Sequence, residues 1–306
     1  MTRAGKRPVT ASRVQPVVEE GPQTRVVAAV DVTPLGRRVA ERARLVAEQL
    51  DAALEILHVL EPLGDAYLHD GVVKLVRDHR TREAEDMARW LGGRAEVPVD
   101  LKVSKGSPVW EIVKAGKDAR LVVVGASPVD HPRLGPVSAR VAETSWTDVL
   151  VVRRQPRVPY RRVVAAVDLS ELSAAAVDLA LELAPDADLS LVYALPSRHD
   201  GLMARAGMFP EEIDSSSRRR LIQAKEAMAK FAARWPGRVR TVVEHGPPAQ
   251  VVEEVVRRRS ADLVTVTNRG AGATKLVLMG TVAGRILQAV PCDVAVHRVP
   301  GEFRRP

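Results

Sequence analysis

Gly270, then nine residues (271–279), then Gly280-Thr281 is the stretch of this chain best suited to hold a ligand. Gly270 lets the backbone turn and come close to a bound group. Gly280-Thr281 opens a helix expected over 282–289, which sets free main-chain N–H groups and the positive end of the helix dipole beside a hydroxyl. Phosphate is well served by that combination. Two carboxylates belong to the same picture. Asp31 and Asp168 each end an identical run, Arg-Val-Val-Ala-Ala-Val-Asp, at 25–31 and 162–168. A short apolar run ending in an acid reads as a buried strand that delivers a carboxylate to a sheet edge. Such an acid could assist a metal-bound phosphate, but a single one is more often a ligand contact than a general base.

The repeat implies two copies of one unit, each about the size of an ordinary domain. After each acid comes a helical pattern, through Val39, Ala43, Val46 and Ala47 in the first copy and Ala176, Leu179, Ala180 and Leu183 in the second. Ser170 or Ser173 is the expected N-cap of the latter. Second strands are expected over 54–60 and 189–195, and long amphipathic helices over 72–91 and 211–235. Third strands follow, at 97–103 and 239–243, and run into Gly106-Ser107-Pro108 and Gly246-Pro247-Pro248, where proline suits the first turn of a helix. Fourth strands are expected over 120–124 and 262–266. After another helix come fifth strands, with 148–153 matching 293–298. Each half therefore reads β-α-β-α-β-α-β-α-β. That order predicts two tandem three-layer α/β/α domains, Rossmann-like, each with a five-stranded mostly parallel sheet. The expected division is a tail at 1–23, a first domain at 24–154, a short proline-stiffened linker at 155–159, a second domain at 160–299 and a tail at 300–306. The stiff linker implies that the halves pack together. In such sheets ligands sit at the carboxyl ends of strands where the strand order reverses, and the two acids should lie there.

A length of 306 residues suits two cores, and 46% hydrophobic with 27% charged residues is the balance of a soluble globular protein. No apolar run is long enough to span a membrane, and the N-terminal stretch lacks the apolar block of a signal peptide, so cytoplasm is the expected location. The single cysteine, Cys292, excludes an intramolecular disulfide and reads as packing. The histidines show no ligand spacing, and His58 and His297 read as structural residues in strands. The net charge of +8 permits an anionic partner. Aromatics are only 3%, however, and Arg218–Arg220 and Arg257–Arg259 read as solvated helix faces, so nucleic acid is not the expected partner. Gly270-Ala271-Gly272 begins a dinucleotide fingerprint but continues to Lys275 and follows a fourth strand, which argues against it. The loop over 197–210 reads either as a lid or as a plain surface loop.

The loop spacing, the acid ending the first strand and the Gly-x-Pro after the third together resemble the universal stress protein family in its tandem form, over roughly Arg25 to Arg298. Nucleotide-binding members carry Gly-x-x-Gly, nine residues, then Gly-Ser/Thr. The resemblance implies ATP or a related adenine nucleotide in the second half, with Mg2+ as an optional companion. Asp168 would then face the adenosine end and the backbone at Ala194 the adenine. Gly270, Gly280 and Thr281 would wrap the phosphates, beside the polar turn Asn268-Arg269. Thr267 departs from the pattern, where the family has glycine. A β-branched residue resists positive φ, so Thr267 is expected to narrow the pocket or weaken binding.

The first half departs further. It reads Gly125-Ala126-Ser127-Pro128, six residues, then Gly135-Pro136. Pro128 replaces the second glycine and Pro136 the hydroxyl, and the loop is three residues shorter. Pro136 also offers no N–H. The first half is therefore expected not to bind ATP in the family's way, although Asp31 remains. Three functions stay open, in this order: a regulatory nucleotide-binding module with a structural or dimer-forming first half; a nucleotide-free scaffold with an unknown protein or anionic partner; and a slow ATPase or phosphoryl transferase.

Overall fold

The computed structural model describes residues 24–62, 70–127, 134–156, 158–195, 210–268 and 279–298. The first half runs β1 (Arg25–Ala29), α1 (Pro34–Gln49), β2 (Ala53–Leu60), α2 (Asp70–Gly92), β3 (Val99–Lys105), α3 (Pro108–Ala115), β4 (Leu121–Gly125), α4 (Pro136–Thr144) and β5 (Asp148–Val152). The second runs β6 (Arg162–Ala166), α5 (Glu171–Leu183), β7 (Asp188–Leu195), α6 (Pro210–Ala232), β8 (Val239–His245), α7 (Pro248–Arg259), β9 (Leu263–Thr267), α8 (Thr281–Ala289) and β10 (Asp293–His297). Local chemistry explains the helix starts. The Thr33 side chain accepts the Gly36 N–H, with Pro34 in the first turn. In the second half Ser170, not Ser173, is the cap, and it accepts the Ser173 N–H at 3.2 Å. Pro108 and Pro248 occupy first turns as expected.

Within each half every strand pair is parallel, in the order β3-β2-β1-β4-β5 and β8-β7-β6-β9-β10. The halves do not stop at separate sheets. β5 pairs with β10 antiparallel, Leu150 opposite Ala295, and makes one ten-stranded sheet. Val149, Leu150, Val151, Val294, Ala295 and Val296 are all fully buried at this seam. The cores on the two faces of the sheet each draw residues from both halves. A lone half would present β5 as a bare apolar edge, a template for unwanted pairing. The antiparallel seam has a second consequence: the carboxyl ends of the two sets of strands lie at opposite edges of the sheet.

Charged residues tie the seam by pseudo-twofold symmetry. Asp148, which begins β5, accepts the Arg298 N–H at 2.8 Å, and Asp293, which begins β10, accepts the N–H groups of Arg153 and Arg154 at 2.8 and 3.0 Å. The guanidinium of Arg153 donates to Leu287 O in the last turns of α8, and that of Arg298 to Ala142 O in α4. Each half thus sends a cation to the negative end of the other's helix.

The two acids titrate in opposite directions. Burial pushes Asp148 up, but His297, the Arg298 N–H and Arg120 outweigh it and hold its carboxyl below the ordinary range. Asp293 is more deeply enclosed, and burial raises it despite Arg42 and the two N–H groups. A carboxylate held low stabilises the fold above its unfolded pKa, about 3.9, and loses that contribution as pH falls through its folded value. The deficit of Asp148→Asn relative to the parent protein, measured by urea unfolding, is therefore expected to be full near neutrality and to shrink steadily below about pH 4.

Candidate functional site

At the carboxyl edge of the second half, register brings three strand ends to one level. Ala166 lies opposite Val192, and Ala165 opposite Thr265. Two residues beyond Ala166 and three beyond Ala165, Asp168 is therefore level with Ala194 of β7 and Asn268 after β9. This is also where the strand order reverses, since β6 lies between β7 and β9. Val167 N donates to Val192 O at 3.0 Å, so the peptide groups of alternate β7 residues face β6. Ala194 is next in that series, and its backbone turns toward the space past the end of β6.

Asp168 is exposed, and its Oδ1 accepts from the Ser170 N–H at 3.1 Å and from the Ser170 hydroxyl. The acid is thereby fastened to the cap of α5. The first half repeats the device with Asp31 and Thr33. Between Asp168 and Ser170, Leu169 has φ 64, a left-handed conformation that is an outlier for a bulky residue. Val32, at the same place in the first half, does not share it. The second-half acid alone is thus held by a strained turn, of the kind that collects at ligand sites.

Gly280 caps α8 with φ −66 and ψ 148 and supplies no side-chain bond to the first turn. Its N–H donates to Asn268 O at 2.7 Å, which closes the loop, and the first intrahelical bond is Gly284 N to Gly280 O at 2.9 Å. Thr281, Val282 and Ala283 thus begin the helix with amides that have no intrahelical acceptor. Asn268 itself is fully buried, and its N–H donates to His297 O at 2.9 Å. Arg269 and Gly270, like Pro128 of the first half and residues 197–209 of the loop read as a lid or a plain surface loop, lie outside the described residues.

Thr267 requires a correction. It ends β9 in extended backbone and is not among the positive-φ residues, so no glycine-only conformation is demanded there. Strand alternation turns it toward the face that α5 covers. The equivalent Gly125 in the first half explains why a side chain fits. A Cβ built on Gly125 would lie 2.8 Å from Leu35 and 3.1 Å from Val39 of α1. At the same distance from the acid, α5 carries Ala176 where α1 carries Val39. Leu172 keeps the place of Leu35 in α5, so Ala176 for Val39 is the exchange that differs between the halves. Accordingly, Gly125→Thr is expected to cost about 1–3 kcal/mol by overpacking. Val39→Ala in the same chain should recover part of that, which a double-mutant cycle of unfolding free energies would read.

The first half closes its corresponding space. A Cβ on Gly36 would fall 1.8 Å from Asp31 O, so the start of α1 lies directly against the strand end. The equivalent residue in the second half is Ser173, whose side chain is accommodated. Pro136 removes one amide from the start of α4. Ser138 donates to the carbonyls of Gly125 and Ala126 and binds that helix to the strand end. Ala283 stands at the equivalent place and cannot do so. The bond between loop ends, Gly135 N to Ala126 O here and Gly280 N to Asn268 O in the second half, is common to both.

Other candidates resolve into structure. Cys292 is buried, and burial, aided by Asp293, pushes its thiol up to about 12, which leaves it inert. His58 Nδ1 donates to Val30 O at 2.9 Å, and His297 Nδ1 lies 3.0 Å from Asp148. Arg257, Arg258 and Arg259 pair with Glu253, Glu244 and Asp188 at 2.6, 2.5 and 3.7 Å, so they face other residues of this chain and not a free anion. Among the described residues no helix is long and apolar enough to cross a membrane.

A model of the universal stress protein family matches residues 23–153 and again 159–298. A universal stress protein of Mycobacterium tuberculosis (strain H37Rv) is 26% identical over 294 residues, covering 89% of this chain and 96% of the relative. Among solved structures, a universal stress protein from Archaeoglobus fulgidus shares the fold over 91% of this chain and 99% of its own, with a TM-score of 0.63 at 18% identity. A universal stress protein solved in complex with cAMP covers 44% of this chain at 25% identity, with a TM-score of 0.35.

Proposed function

The chain belongs to the universal stress protein family in its tandem form, and on that premise we propose that it is a regulatory module whose second half binds ATP or a related adenine nucleotide, with the first half structural. The observation that carries this reading is the alignment of Asp168, Ala194 and Asn268 at one level beside the uncapped start of α8. A carboxylate suits a ribose hydroxyl, the outward-turned peptide at Ala194 suits the edge of adenine, and the α8 amides with the Thr281 hydroxyl suit phosphate oxygens. Arg269 and Gly270 complete the set in the sequence. The residues fit the group. Mg2+ would accompany the nucleotide and be held chiefly by its phosphate oxygens and waters.

Binding, and not turnover, is the activity proposed. Asp168 is already engaged by the cap of α5, which suits a fixed contact better than a proton acceptor. Titration calorimetry of the full chain with ATP and Mg2+ is expected to give one site per chain. Mass spectrometry of the small molecule that copurifies would identify the preferred nucleotide. Absence of binding by ATP, ADP and AMP at millimolar concentration would end the proposal.

A further inference from the structure

The first half, although its sequence lacks the second glycine and the hydroxyl of the phosphate loop, carries a different polar cavity. It measures about 430 Å3 and lies at the carboxyl ends of β2 and β3, where they meet α2. Lys74, Arg77, Asp78 and Thr81 line it from one face of α2, at the i, i+3, i+4, i+7 spacing of a helix stripe, and Lys105 lines it from the last position of β3. Leu60 and Val73, 5% and 7% exposed, give it an apolar floor.

Charge is the informative property. Three cations face one carboxylate, and among the described residues no hydrogen bond or ion pair engages Lys74, Arg77 or Lys105. Arg44, by contrast, is matched with Glu41 and Glu48, and Arg120 with Asp148 and Glu182. The second half does not repeat the group: Asp214, Ser217 and His245 stand at the equivalent places. The cavity has the size of an ordinary ligand pocket, and converging cations at its wall concentrate anions.

We infer that the first half binds a small dianion or trianion, bearing phosphate or carboxylate groups, between α2 and the ends of β2 and β3. Arg77 supplies a planar fork for two anionic oxygens, the lysines supply point charges, and Thr81 a hydroxyl. This site stands apart from the nucleotide reading, because the antiparallel seam puts it at the opposite edge of the sheet.

Titration calorimetry of the full chain at low ionic strength, with pyrophosphate and separately with citrate, tests it. The expected result is saturable binding that weakens with added salt. The paired substitution Arg77→Gln and Lys105→Gln, which removes both charges and keeps polar side chains at non-core positions, should weaken it at least tenfold. Arg257→Gln, which removes a paired arginine on an exposed face of α7 outside both sites, should leave it unchanged. Tighter binding of pyrophosphate would assign a phosphate ligand, and tighter binding of citrate a carboxylate one. Wild-type affinity in the Gln pair, loss of binding in Arg257→Gln, or no binding of either anion at millimolar concentration would overturn the inference.

Discussion

Replacing Arg42 with alanine is expected to lower the unfolding free energy by about 3–5 kcal/mol, the usual effect of orphaning a buried charge. Arg42 projects from α1 of the first half into the seam, where its side chain is 6% exposed. Its Nε lies 3.3 Å from Asp293 Oδ2, one of its terminal nitrogens donates to Val158 O at 3.1 Å, and its guanidinium lies 3.9 Å over the Tyr160 ring. Tyr160 in turn donates its hydroxyl to Asp293 at 2.8 Å. Removing the guanidinium leaves a fully buried carboxylate with only neutral donors. Burial already raises Asp293, so losing its cation must raise it further. The deficit relative to the parent protein should therefore be largest near neutral pH and smaller in acid, where Asp293 takes up a proton. Guanidinium unfolding at several pH values, followed by circular dichroism, measures both parts. Because the sheet and both cores run through the seam, the loss should fall on a single transition that carries both halves. A variant in which one half melts early while the other keeps its midpoint would contradict that view of the molecule.

Thr281→Pro should weaken ATP binding by about 1.5–3 kcal/mol, or roughly tenfold to 150-fold in Kd, with little effect on the fold. The substitution copies the first half into the second. Pro136 shows that a proline is accepted at this helix position, as the fixed φ of its ring predicts. What it removes is one amide N–H and one hydroxyl at the start of α8, both donors to a charged oxygen in the proposed complex. Pro136→Thr in the first half should create no nucleotide site, since the loop remains short and α1 still lies against Asp31. Calorimetry on the two variants beside the parent protein reads the contrast. Unchanged affinity in Thr281→Pro would remove α8 from the site.

Much of this architecture was readable from residue order, because its causes are local. Apolar runs bounded by proline and glycine mark the strands, and the 3.6-residue period of Val39, Ala43, Val46 and Ala47 marks α1. All four of these are buried. The choice between Ser170 and Ser173 as cap was not readable, since both stand within reach of the same turn and only the backbone decides. The positive φ expected at Thr267 was misjudged because its backbone is set by the strand ladder with β10, which pairs it with His297 in ordinary extended geometry. The exchange of Gly125 and Val39 for Thr267 and Ala176 was present in the sequence, but it has meaning only when the facing positions are known.

The repeated chain and its punctuation were thus enough to specify two α/β units, the order of their elements along the chain and the acids at their strand ends, because each follows from short-range periodicity and turn chemistry. Only folding in three dimensions joined the units into one sheet, turned their ligand edges in opposite directions and gathered Lys74, Arg77 and Lys105 around one cavity. Those features arise from contacts between residues distant in sequence. Asp148 and Asp293 look alike in the repeat, yet Arg42 and Tyr160 crowd one and Arg120 and His297 attend the other, and the packing around each sets its charge.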